Sequence, residues 1–70
     1  MVVYKLLYED TNQKRLDCLG EFPTQEDAMV EMDKYIVKKP NYYRFWKEGD
    51  TTTIDYGSWS TFFKIKEIKK

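Results

Sequence analysis

Histidine is absent from this chain of 70 residues, and cysteine occurs once, as Cys18. Without histidine there is no imidazole general base, no Ser–His or Cys–His pairing and no neutral ring-nitrogen metal ligand. One thiol cannot close an intramolecular disulfide, nor build a structural zinc site without histidine. Small secreted domains usually need such staples, so the expected setting is reducing and intracellular, with the cytoplasm as default compartment. The three glycines, Gly20, Gly49 and Gly57, are too scattered for a phosphate-cradling loop. No apolar run approaches the ~18 residues of a membrane span. The opening Met1-Val2-Val3-Tyr4-Lys5 lacks the basic-then-apolar layout of a signal peptide. Net charge is lacking too: twelve basic side chains balance twelve acidic ones. No global field therefore favours nucleic acid or an acidic membrane as partner.

The residues that remain offer little chemistry. Ser58 and Ser60 have no activator and read as turn residues. Cys18 falls on the inward face of a strand, where a thiol serves as a small buried hydrophobe. Asp10-Thr11-Asn12 opens like a calcium loop, but Lys14 stands at the fifth position and the required Gly and distal Glu are missing. Adjacent carboxylates such as Glu9/Asp10 and Glu26/Asp27 suit solvation and capping. The expectation is no enzyme activity, no cofactor and no bound metal.

Aromatic residues are what the chain has in plenty. They make up 17% of it, and eight of the twelve fall between Tyr42 and Phe63. Such side chains carry enough apolar area to supply most of a small core. Two Trp are hard to hide in a single small core, which leaves part of the cluster for a contact surface. Seventy residues make one domain, 1–70, and a chain this short buries only about 60% of the surface of its unfolded form. The charges divide unevenly along it, with −5 over residues 1–33 and +5 over residues 34–70. They either interleave on folding or form a dipole that orients a partner or a second copy.

Periodicity predicts the elements. Val2 to Glu9 alternates Val2, Tyr4, Leu6 and Tyr8 against Val3, Lys5, Leu7 and Glu9, and apolar groups on both faces place this strand inside a sheet. Asp10 to Gln13 is turn chemistry. Arg15 to Phe22 reads as the return strand, with Leu16, Cys18 and Phe22 inward and Arg15, Asp17 and Glu21 outward. A helix follows over about residues 24–39. Thr24 is its N-cap, Glu26 and Asp27 suit its positive end, and Lys38, Lys39 and Pro40 mark its close. Ala28, Met29, Met32, Tyr35 and Ile36 form its buried stripe. Strands return at Tyr42–Lys47, Thr51–Tyr56 and Phe62–Ile68, with Phe63 and Ile65 on one face of the last and Lys64 and Lys66 on the other. The fold class is α+β: a mainly antiparallel sheet in β-β-α-β-β-β order, covered on one face by one helix.

The uncovered face is the candidate site. It should carry Tyr42, Arg44 and Trp46 with Lys64 and Lys66, and Trp59 from the Gly57–Ser60 break joins them as a candidate binding residue. Three readings suit aromatics interleaved with basic groups: cross-strand pairs that merely cover the sheet, a protein-binding patch, or a stacking surface for single-stranded nucleic acid.

The segment Ile54-Asp55-Tyr56-Gly57-Ser58-Trp59-Ser60-Thr61-Phe62-Phe63-Lys64-Ile65, preceded by Tyr43-Arg44-Phe45-Trp46, resembles the C-terminal ends of small uncharacterised phage and prophage proteins of Gram-positive bacteria. The resemblance implies an accessory gene product acting inside a bacterial host cell but carries over no activity; small phage proteins often act by binding a host protein and blocking or redirecting it. The expected function is a non-catalytic protein-binding module, with single-stranded nucleic acid binding as the alternative. A monomer with weak homodimerisation is also expected, either through Val30 and Val37 on the outer side of the helix or through an open sheet edge.

Overall fold

The computed structural model describes residues 1–36, 43–57 and 60–70. Five strands and one helix follow one another as β1 (Val2–Asp10), β2 (Arg15–Phe22), α1 (Gln25–Tyr35), β3 (Arg44–Glu48), β4 (Thr51–Asp55) and β5 (Thr61–Lys69). All strand pairs are antiparallel, in the spatial order β2-β1-β5-β4-β3. The α+β class and the β-β-α-β-β-β order therefore stand as expected, and β1 lies inside the sheet as its two apolar faces require.

Each turn has a local cause. Between β1 and β2 the Asp10 carboxylate accepts from the backbone N–H of Asn12 (3.0 Å) and of Gln13 (3.2 Å), an Asx-type turn, and Lys14 closes the loop at φ 53°. Between β3 and β4 the two-residue loop Gly49-Asp50 has Gly49 at φ 61°, the positive angle that a II′ hairpin turn demands of its first position. The longest pairing joins β1 to β5, from Val2↔Lys69 to Asp10↔Thr61. At its ends Met1 and Lys70 exchange backbone bonds, and Thr11 donates twice to the Ser60 carbonyl.

One face of the sheet packs against the helix. Leu6, Ile54, Phe63 and Ile65 meet Ala28, Met32 and Ile36, all seven buried. Phe63 is the centre: its ring lies 5.1 Å from Tyr8 and 5.2 Å from Tyr56, centroid to centroid. Burying such a ring contributes roughly 1.5–3 kcal/mol, so it ranks high among the stabilising contacts of so small a core. Thr24 caps the helix as expected, its hydroxyl accepting from the Asp27 N–H at 3.1 Å.

Tyr35, expected in the buried stripe of the helix, is half exposed, and two larger expectations are corrected. The helix ends at Tyr35 rather than near residue 39. Ile36 is already extended (φ −93°, ψ 107°), with its N–H bonded to the Asp33 carbonyl, and this turn delivers a buried Ile36 side chain to the core. Lys38, Lys39, Pro40 and Val37 lie outside the described residues. The face of β2 is the second correction. A bulge shifts the register between Leu6↔Gly20 and Leu7↔Cys18, leaving Leu19 as the extra residue packed at the core. One inserted residue moves every earlier side chain to the opposite face. Leu16 and Cys18 are consequently exposed on the side away from the helix, while Arg15 and Asp17 stand on the helix side. Gly20 permits the bulge: its φ of 150° suits few L residues, and a Cβ there would lie 3.2 Å from the Phe22 ring.

Candidate functional site

Strand pairing assigns every side chain to a face, because directly opposed residues lie on the same side of a sheet. Leu6, Ile54, Phe63 and Ile65 define the helix side. Their sequence neighbours define the other. Across it run Leu7↔Lys64↔Thr53↔Trp46 in one row, Lys5↔Lys66↔Thr51↔Glu48 in the next, and Glu9↔Phe62 and Asp55↔Arg44 at one end. No described helix or strand covers this face.

Of the six candidate residues, Arg44, Trp46, Lys64 and Lys66 share this open face. Tyr42 and Trp59 lie outside the described residues. The face also includes members the candidate set omitted: Phe62, Leu7, Leu16, Cys18 and Glu9. Phe62 was open to deduction. It is next to Phe63 in a strand, so placing Phe63 in the core forces Phe62 out. Leu16 and Cys18 gave no such signal, apart from the mid-strand Gly20 that marks a bulge.

Trp46 and Phe62 meet across β4 on the β3 side of the face, ring centroids 6.3 Å apart and nearly perpendicular at 71°. This edge-to-face arrangement is favourable for aromatic quadrupoles. Between Trp46 and Lys64 sits Thr53, a polar residue only 9% exposed. Trp46 itself remains 41% exposed, a large apolar ring offered to solvent.

The electrostatics of the face are mixed. Lys64 pairs with the Glu9 carboxylate at 3.3 Å. Arg44 stands opposite Asp55, and Lys5 opposite Glu21. Glu21 in turn holds the Lys70 ammonium at 2.9 Å. Lys5 and Lys66 are the one facing pair of like charge. With Glu48 beside them and Lys70 held at Glu21, five cations and four anions among the described residues share the face. A phosphate chain would meet local repulsion nearly as often as attraction there.

Elsewhere the described residues contain no cluster of three metal-ligating side chains and no helix long and apolar enough to cross a membrane. No protein-family model matches the chain, and no curated protein or solved structure matches it either.

Proposed function

We propose that this chain is a non-catalytic protein-binding module whose open sheet face docks a partner protein, in an accessory role of the phage type within a bacterial host cell. One observation carries the reading: an exposed Trp46 braced edge-on by Phe62, surrounded by charges of both signs. Trp is enriched among binding hot spots, which are commonly ringed by polar and charged groups. Charge balance supports a protein over a polyanion, because neutralising phosphates requires an excess of Lys and Arg. The second reading, single-stranded nucleic acid stacked on Trp46 with Arg44 and Lys66 on phosphates, draws on the same aromatic with the opposite charge requirement.

Affinity capture from a bacterial lysate, run with wild type and Trp46→Ala, separates the two. The expected result is a defined host protein retained by wild type, weakened at least about tenfold by the truncation, as for hot-spot residues, and little changed by salt. Labelled single-stranded oligonucleotides shifted by wild type, with affinity falling steeply as salt rises, would replace this reading by the second.

A further inference from the structure

The two edges of the sheet are built differently. β2 carries the bulge at Leu19, Gly20 at φ 150°, and ion pairs Arg15–Asp17 (3.3 Å) and Glu21–Lys70 (2.9 Å). Bulges and edge charges are the usual guards against strand-to-strand association. β3 carries charges too, at Arg44, Lys47 and Glu48, but has neither bulge, Gly nor Pro. Its five residues are all exposed and keep an unbroken register with β4, and among the described residues no strand pairs with its outer side.

The hairpin decides which backbone groups that outer side presents. The Gly49-Asp50 loop closes on Glu48 and Thr51, so their backbones share the turn hydrogen bond. Antiparallel alternation then directs the backbones of Glu48, Trp46 and Arg44 toward β4. Those of Phe45 and Lys47 point off the edge.

The order of side chains on β3 complements itself when reversed. In an antiparallel pair of copies centred on Trp46, Arg44 of each copy faces Glu48 of the other. Phe45 faces Lys47, and these are the residues whose free N–H and C=O groups can exchange bonds across the axis. Trp46 faces its own counterpart at the non-hydrogen-bonded position, where side chains approach most closely. Moving the axis to Lys47 sets like charges together, and moving it to Phe45 loses both Arg44–Glu48 pairs. Trp46 centring alone satisfies charge and backbone together.

We infer that β3 is a homodimerisation edge: two copies join antiparallel through Arg44–Glu48 about Trp46, extending two five-stranded sheets into one. The result does not depend on the partner protein proposed above. It places two Trp46–Phe62 pairs side by side on one continuous face. The interface is short, so association is weak and concentration-dependent.

Charge reversal tests it. In sedimentation at up to about 1 mM, wild type approaches dimer mass, while Arg44→Glu alone and Glu48→Arg alone remain monomers. An equimolar mixture of the two variants returns to dimer mass, because each then supplies the charge the other lacks. Hydrogen exchange on wild type needs no variant: the Phe45 and Lys47 amides gain protection as concentration rises. Wild type that stays monomeric throughout, a dimer unaffected by either reversal, or a mass increase without protection of those two amides would each overturn the inference.

Discussion

The two faces of this sheet are written by alternate residues of the same strands, yet they follow different rules. The centre of the helix-covered face is apolar and dry, with Leu6, Ile54, Phe63 and Ile65 each at most 2% exposed. The open face alternates aromatics with Lys, Arg, Glu and Asp, and even its apolar members Leu16 and Trp46 are 57% and 41% exposed. Phe62 and Phe63 mark the divide most sharply, since adjacent identical residues serve opposite surfaces. Amino-acid type therefore says less about burial in a strand than position parity does. A core face is held by packing, and an open face is free to be shaped by a partner.

The largest expected effect tests that parity directly. Phe63→Ala removes the ring at the centre of the core and should cost about 3–5 kcal/mol, enough to unfold most of a domain this small. Phe62→Ala, one residue away and only partly buried, should cost clearly less, with about 0.5–1.5 kcal/mol of the loss coming from the aromatic pair beyond its area. Urea denaturation of both variants gives the difference, and equal losses would erase the distinction between the faces.

A smaller effect concerns the element that makes one face covered. Thr24→Ala deletes the hydroxyl that caps α1 and should destabilise the domain by about 1 kcal/mol. Thr24→Asn should recover most of it. Thermal unfolding followed by far-UV circular dichroism measures both, and an unchanged Thr24→Ala midpoint would show that sheet packing alone holds the helix in place.

The smallest effect lies on the open face. The Glu9–Lys64 pair is about a third exposed on each side, so Glu9→Gln should cost less than about 1 kcal/mol. Its consequence should appear in the charge of the face instead. Freed of Glu9, the face gains one net positive charge, and any weak oligonucleotide retention should increase at low salt while stability stays nearly constant. A large stability loss would mean that this face too is held by its own contacts.

Much of this was readable one element at a time. The Thr24 cap, the Asx turn at Asp10 and the Gly49 hairpin are short-range chemistry, and each stands where the residues place it. The division of Phe63 and Ile65 from Lys64 and Lys66 followed from a period of two. The end of the helix was less legible, because Lys38, Lys39 and Pro40 are suitable closing residues and nothing local requires a stop at Tyr35. Ile36 turns extended where doing so puts it in the core, and that reward comes from distant strands.

Local rules were enough for the kinds of element, their order and the facing of an unbroken strand, since these depend on residues a few positions apart. The pairing of β1 with β5, the bulge at Leu19 and the meeting of Trp46 with Phe62 depend on segments far apart in the chain. Antiparallel neighbours can be chosen in many ways at similar local cost, and the choice is made by which arrangement closes a core around Phe63. A single extra residue in β2 then relocated Leu16 and Cys18 from the core to the open face, because side-chain direction in a strand is a running count that one insertion reverses.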